Sequence, residues 1–574
     1  MTRYHTRTPG SAWATVVAVC VTAMMAWHPS QATEIPSVVA PGAIERGQTP
    51  KLSPPTDTPF SIIPTLDRPV PPQGADAVQF VLHGVLIEGA KALEVSAIEP
   101  AYVPLIGHSV SLADLYVVAN RITKLYCDAG YALSFSVVPA QRVSDGVVHI
   151  QVVEGYIADV SLEGLPEGTS RVLESYARKL RASRPLKTAD LERYLLLAND
   201  LSGYHVRATF ERIAGAERGA TRLVISIEHK PVSAEAKISN RGSRAFGPLL
   251  ADGQASFSGY LFDADQLGLH VLNAVPFNEM SYTSLTFQNP VDEDGLRFES
   301  FASYSRARPD LAALRSVHFS SEGWIAHIGL EDALLRSRAS SLWISGGLTA
   351  KWLDGDVLRT ANSRDRIYLL TAGLRYLERD DSGFTAINTD INEGLKVFDA
   401  TGAGAPLASR MTGSAAFTDL HVYAARQQRL GDRLELVLSG EGQFAGRALL
   451  SSEQCSYGGG VFGRGFDDSE IQGDSCVMGS AELRYTPPLP AWAKSNSLLL
   501  QVFAFADAGR TWKRGTLLGG ENRSDHAESI GGGVRVMFGA GLSGWVEFAQ
   551  PIDRDVAQEG NRRGRVFASL SEDF

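Results

Sequence analysis

Two short segments near the C-terminal end of the chain combine one charged residue with glycine and aromatic residues. They are Gly463-Arg464-Gly465-Phe466 and Phe505-Ala506-Asp507-Ala508-Gly509. A strand through the second segment would place Asp507 on the same face as Phe505 and Gly509. If that face is enclosed, the carboxylate needs a cation, and the guanidinium of Arg464 stays charged and can donate two parallel hydrogen bonds to it. The residue types indicate a structural ion pair. The same sequence is also compatible with an arginine in a loop that faces solvent.

The same part of the chain offers little for catalysis or metal binding. Its histidines are scattered, and none stands beside a recognisable nucleophile motif. They are His270, His318, His327, His421 and His526. A zinc site would need more ligands than the segment around the C-terminal cysteines contains. We therefore expect no enzyme activity, no metal and no cofactor.

Cysteines bracket the first segment. Cys455 and Cys476 could close it as a disulfide in an oxidising compartment, which is what we predict. Cys127 is expected to be a small buried residue on a helix.

The N-terminus predicts export from the cytoplasm. Arg3 and Arg7 precede an apolar run, and Ser30-Gln31-Ala32 supplies small residues for cleavage, so residues 1–32 are predicted to be a signal peptide. No later apolar stretch approaches the roughly 18 residues that a spanning helix needs. A membrane-embedded mature chain must therefore form a closed β-barrel.

Length and charge limit the remaining classes. The chain has 574 residues and a net charge of −10, which predicts several domains and no nucleic-acid partner. Residues 33–77 hold ten of the 27 prolines and read as an extended tether.

Two small α/β modules follow the tether, at residues 78–155 and 156–230. In the first, Ser111 and Asp114 form a capping-box pattern before a helix that Gly130 ends, and two strands follow. In the second, a strand precedes helices at 172–180 and 188–201, with Thr188 as the expected cap of the later helix. The recurring order indicates an internal repeat.

Beyond residue 231 the helical period disappears and strand alternation begins. One face of the segment 433–444 is apolar, and the other is polar. The apolar face is Leu434, Leu436, Leu438, Gly440, Gly442 and Phe444. Another apolar face begins at Tyr368 and ends at Tyr376, as an aromatic membrane girdle requires. Roughly twenty residues per strand and turn predict an antiparallel transmembrane barrel of about 16 strands over 231–574.

In this order, these parts resemble the TpsB transporters of two-partner secretion, the hemolysin secretion/activation family of the Omp85 superfamily. LERYLLLANDLSG at 191–203 looks like the second POTRA helix of that family, and Asn240-Arg241-Gly242-Ser243 like its first barrel strand. The stretch from Arg464 to Leu483 resembles its sixth loop and the next strand, and 505–509 its barrel-wall motif. Gly463 departs from the valine that is usual there, which suggests a looser loop.

The resemblance implies an outer-membrane protein with two periplasmic POTRA domains and a sixth loop, at about 452–478, folded into the barrel. Arg464 would meet Asp507 there, Phe505 would pack against Phe466, and Gly509 would leave space. A plug helix is implied within the tether, although Pro36, Pro41 and Pro50 interrupt the candidate stretch.

The implied function is export of an unfolded TpsA-type exoprotein, of the adhesin or hemolysin kind, which the POTRA domains recognise by strand addition. Lipid or lipopolysaccharide, periplasmic chaperones and the barrel assembly machinery are the other expected partners. An Omp85-type assembly factor that inserts other barrels remains the alternative, and two modules rather than more favour export.

Overall fold

The computed structural model describes residue 44 and residues 70–165, 170–495, 497–517, 521–539 and 541–574. The predicted signal peptide and most of the predicted tether lie outside these residues. No helix among the described residues has the length and apolarity needed to cross a membrane.

The first module packs two helices against small sheets. Its elements are β1 (Gln79–Val81), β2 (Gly84–Glu88), α1 (Val95–Ile98), β3 (Ser109–Ser111), α2 (Leu112–Asp128), β4 (Phe135–Val137) and β5 (Val147–Val153), with 3₁₀ turns at Ala75–Ala77, Glu99–Ala101 and Val103–Leu105. β5 lies between β2, to which it is parallel, and β4.

The start of α2 confirms the predicted capping box. The Ser111 hydroxyl accepts the Asp114 N–H, while the Asp114 carboxylate accepts the Ser111 N–H. The buried face of α2 includes Ile122 and Tyr126. The expectation for Cys127 is wrong: it is exposed, because it follows Tyr126 directly and points away from the face that Tyr126 buries.

The second module repeats this plan with a longer sheet. Its elements are β6 (Tyr156–Glu163), α3 (Arg171–Ala182), α4 (Thr188–Asp200), β7 (Tyr204–Arg212) and β8 (Ala220–His229), and β8 is the central strand. The predicted cap at Thr188 is wrong. Lys187 is the residue before α4, and the Thr188 hydroxyl has no hydrogen-bond partner within the described part of the chain.

The rest of the chain forms a closed barrel of sixteen strands, as the alternating pattern predicted. They are β9 (Val232–Ser239), β10 (Leu249–Ser258), β11 (Gln266–Val275), β12 (Met280–Pro290), β13 (Arg297–Ala307), β14 (Ser320–Arg336), β15 (Ser340–Val357), β16 (Thr360–Asp380), β17 (Gly383–Gly394), β18 (Thr418–Arg429), β19 (Leu434–Ala445), β22 (Ser475–Tyr485), β23 (Leu498–Trp512), β24 (Ser524–Phe538), β25 (Leu542–Pro551) and β26 (Arg565–Asp573).

All neighbouring barrel strands are antiparallel, and β26 closes the barrel on β9. Leu348, Leu370, Leu438 and Phe444 are about half exposed, as expected of side chains on the lipid face. Short helices α5 (Ala312–Ser316) and α6 (Ala491–Ser495) and a 3₁₀ turn at Ser451–Glu453 lie in the connections.

The second module is fastened to barrel turns at the end where β9 begins. Lys179 pairs with Asp294 at 2.8 Å, and the Tyr194 hydroxyl donates to the same carboxylate at 3.0 Å. The Lys179 hydrogen bond lowers the pKa of Asp294. At a second turn, Arg336 bonds both oxygens of Asp200 at 2.7 Å. Together with shared apolar contacts, these bonds fix the orientation of the module on the barrel.

Candidate functional site

The candidate site is the sixth loop, residues 446–474, which connects β19 to β22 and returns into the barrel. Its hairpin of β20 (Cys455–Tyr457) and β21 (Ile471–Gly473) is antiparallel. Tyr457 and Phe466 are almost fully buried, and they pack in one cluster with Met478 and Ala527 of the barrel wall. Loop 6 is therefore part of the packed interior.

Arg464 at the loop tip and Asp507 on the wall are in direct contact. The Arg464 Nη2 and Nε donate to the two Asp507 oxygens at 2.8 and 3.1 Å, and the Arg464 backbone N–H adds a third bond at 3.0 Å. The side chain of Asp507 is 0% exposed and that of Arg464 6%. The structure thus brings together the two charges that the sequence singled out.

A second carboxylate, which the sequence analysis did not identify as a site residue, completes the pocket for Arg464. Glu482 on β22 accepts from the Arg464 Nη1, and also from Arg535 at 2.8 Å and Arg484 at 2.7 Å. Burial lowers the pKa of Arg464, but the hydrogen bond and charge of Asp507, together with Glu482, outweigh it and raise the pKa above its ordinary value. The available signal was a glutamate at an inward position of an alternating strand.

Phe505 has a different partner from the one expected. The Arg464 guanidinium lies over its ring, 3.5 Å from the centroid, which is a close cation–π contact. Phe466 belongs instead to the loop cluster, with its ring 6.2 Å from that of Tyr457. The expected packing of Phe505 on Phe466 is therefore replaced by packing of Phe505 under the arginine.

Two predicted glycines form a slot for the Tyr457 ring. A Cβ on Gly509 would lie 2.2 Å from a Tyr457 ring carbon, and a Cβ on Gly463 would lie 2.5 Å from another. Gly463 also has a φ of 80°, which a side chain disfavours. Its presence therefore permits tight packing of the loop, contrary to the looser loop that the sequence suggested. Gly465 fits against the wall at Ser529 and Pro551 for the same reason.

The base of loop 6 is held by a disulfide and by a buried carboxylate. Cys455 and Cys476 are bonded to each other, which ties the first residue of β20 to the second residue of β22. Asp474 is fully buried and pairs with Arg410, which lies in the connection between β17 and β18. It also accepts the backbone N–H of Leu449 at 2.8 Å and of Arg514 at 2.6 Å. This carboxylate therefore joins three loops. The local sequence around Asp474 does not predict this role.

One residue of the predicted tether is also in the barrel. Ile44 is helical and packs against an inner-wall cluster that includes Leu272 and Tyr282. The predicted plug stretch around it otherwise lies outside the described residues.

The site holds a loop in place and contains no arrangement typical of catalysis. In the described ranges, no three metal-ligating side chains lie together. Charge pairing, ring stacking and glycine contacts all act on the same few residues at the loop tip. This arrangement can hold the loop in one position within the lumen.

Comparison with known proteins agrees with an outer-membrane transporter. A model of the ShlB-type POTRA domain matches residues 80–155, and a model of the haemolysin secretion/activation protein ShlB/FhaC/HecB matches residues 219–535. The chain belongs to this family, the TpsB transporters, and resides in the outer membrane with its POTRA domains in the periplasm.

Relatives match over most of their length. The heme/hemopexin transporter protein HuxB of Haemophilus influenzae is 22% identical, over 86% of this chain and 87% of its own. The outer membrane transporter CdiB of Escherichia coli is 24% identical, over 84% and 79%. The solved structure of CdiB from Escherichia coli superposes with a TM-score of 0.71 at 21% identity, covering 89% of this chain and 94% of that one.

We predict that Arg464→Ala lowers export more than barrel assembly. The substitution leaves Asp507 buried without its cation, which costs about 3–5 kcal/mol at the loop tip, while the strand ladders remain intact. Export is measured as exoprotein in the medium, and assembly as the folded fraction on unheated gels. Arg510→Ala is the control, because Arg510 is an exposed arginine on β23, the strand that carries Asp507. Normal export by Arg464→Ala would contradict the proposed role of the pair.

We also predict that Gly509→Ala loosens loop 6. The new methyl group must displace the Tyr457 ring, which is fully buried. Amide hydrogen exchange of residues 455–473 should rise, whereas Gly479→Ala, where the nearest atom to a new Cβ is 3.4 Å away, should leave it unchanged. Equal exchange in both variants would show that the slot is not needed.

Proposed function

We propose that this transporter recognises an unfolded TpsA-type exoprotein in the periplasm and passes it through the barrel to the cell exterior. The client would be a large secreted protein of the adhesin or hemolysin kind. The observation that carries the proposal is an open strand edge on the second POTRA module, fastened beside the barrel. A strand edge binds extended chains through backbone hydrogen bonds and places few demands on side chains.

The open edge is the C-terminal half of β7. Along an antiparallel edge strand, every second residue directs its backbone N–H and C=O away from the sheet. Val206 is one of these residues, because its N–H and C=O both bond the Asn199 side chain, at 2.9 and 3.2 Å. The backbone N–H and C=O groups of Ala208 and Phe210 therefore also point away from the sheet. Within the described ranges no partner occupies their backbone groups on that side. A client strand can pair there.

The other module edges are less suited to this task. β4 has three residues, and the Ser136 N–H is already bonded to Thr123 at 2.9 Å. β6 is interrupted by a bulge at Ala158. β2 has five residues against nine in β7. The length and openness of β7 favour it as the docking strand.

The remaining features fit passive export. Neither module carries a nucleotide motif, so folding of the client outside the cell supplies the driving force. The aromatic side chains Trp324, Trp352 and Tyr368 lie at the barrel surface near the end remote from the modules, where they would contact outer-leaflet lipid or lipopolysaccharide. Periplasmic chaperones and the barrel assembly machinery would act on this protein during its own biogenesis.

We predict that deleting the gene removes one large protein from the culture medium and leaves other outer-membrane barrels at normal levels. A dedicated exporter serves its client, whereas an assembly factor serves many barrels. Quantitative proteomics of the medium and of the outer membrane measures both. General loss of barrel proteins with an unchanged medium would favour the assembly-factor function.

A second prediction locates the client on β7. A photo-crosslinking residue at Thr209 or Glu211, beside the open half, should capture the exoprotein several-fold more than one at His205, beside the half that Asn199 occupies. All three side chains are exposed on the same face, so they are matched controls for one another. Equal capture at the three positions would place the client elsewhere.

A further inference from the structure

Two arginines from opposite sides of the barrel closure hold the tip of loop 6 by its backbone. Arg241, two residues beyond β9, donates to the carbonyl oxygen of Arg464 at 3.3 Å. Arg565, the first residue of β26, donates to the carbonyl oxygen of Gly465 at 3.4 Å. Since β9 and β26 are the strands that close the barrel, consecutive carbonyls of the tip are bound from both sides of the closure.

Both arginines are themselves held in position. Arg241 pairs with Glu547 of β25, and its guanidinium lies over the Phe567 ring, 4.2 Å from the centroid. Arg565 pairs with Asp467 of loop 6 and lies 3.5 Å from Glu559. The two side chains are 13% and 11% exposed. Neither can swing away without uncovering a buried charge.

The closure that they flank is the shortest strand ladder of the barrel among the described residues. It runs from Ser569–Ser239 to Asp573–Glu235, whereas β9 pairs with β10 from Ser239 back to Val232. Additional bonds lie at both ends. At one end the Asn240 side chain accepts the Ala568 N–H at 2.7 Å and donates to the Val566 carbonyl at 3.1 Å, and at the other end the Phe574 N–H donates to the Ala234 carbonyl at 2.8 Å. A short ladder has few hydrogen bonds of its own, so contacts made outside it contribute a larger share of its stability.

We propose that seating of the loop 6 tip and pairing of β9 with β26 are energetically coupled through Arg241 and Arg565, which act as positioning residues. When the tip leaves, Asp467 leaves with it and Arg565 loses its ion pair, so the closure is weakened. By the same coupling, opening the closure moves the two arginines apart and releases the tip. Such coupling is reciprocal by thermodynamic necessity. A client that displaces the tip during export would therefore also loosen the closure.

Hydrogen exchange of the purified full chain, without client, tests this coupling. Arg464→Ala, which acts at the tip, should raise exchange in residues 232–239 and 565–573 about tenfold, within the range usual for coupling between sites. Arg241→Ala and Arg565→Ala should raise exchange in residues 460–467 to a similar extent. Arg375→Ala is the matched control, because this arginine binds Glu331 and stacks on Trp343 on another part of the wall. Increases confined to the mutated element would overturn the proposal.

A covalent variant covers substitutions that fail to fold. Lys237 and Ser571 are register partners across the closure, and Lys237 and Asp252 are partners on the other side of β9. A cysteine pair at 237 and 571 should lower exchange of residues 460–467 several-fold when oxidised, and a pair at 237 and 252 should not. An equal effect of both pairs, or of neither, would contradict coupling. Because no client is present, the outcome does not depend on the proposed export function.

Discussion

A guanidinium enclosed by protein must have its charge compensated, and the interior of this barrel is built around that requirement at Arg464. Its two carboxylate partners, Asp507 and Glu482, come from neighbouring strands, and its third contact is the face of Phe505. Replacing a buried pair with apolar groups often costs little, so the pair need not add much net stability. What it specifies is location, because this part of the wall offers two carboxylates and an aromatic face to one cation.

The rest of loop 6 follows from that position. For Arg464 to reach Asp507, the hairpin must pack closely against β22, β23 and β24. This close packing brings the Tyr457 ring against Gly509, where there is no space for a side chain. The base is fixed by a covalent bond, the Cys455–Cys476 disulfide, whereas the tip is held only by ion pairs, hydrogen bonds and stacking. With the disulfide intact, the segment between the two cysteines stays joined to the wall at its base. The tip can exchange its partners while the base remains on the wall.

Local patterns in the sequence predicted what local physics determines. Ser111 and Asp114 predicted the start of α2, and alternation predicted the barrel and its lipid face, because caps and strand faces depend on neighbours a few residues away. Arg464 and Asp507 stood out because each is a charged residue among glycine, alanine and aromatic residues. The partners of Phe505, the function of Asp474 and the two arginines at the closure depend on strand order and loop placement, which link residues that are hundreds of positions apart. Arg241 and Arg464 are one such pair.

Helix side chains close part of each sheet edge, since Thr123 bonds Ser136 in the first module as Asn199 bonds Val206 in the second. Among the described residues, the strand of the second module continues past this contact and leaves backbone groups open, whereas that of the first module ends one residue beyond it. That module is also the one fastened to the barrel, by Lys179 and Arg336 among others. An extended chain paired with β7 would therefore be held in one direction relative to the lumen, so binding would orient the chain as well as retain it.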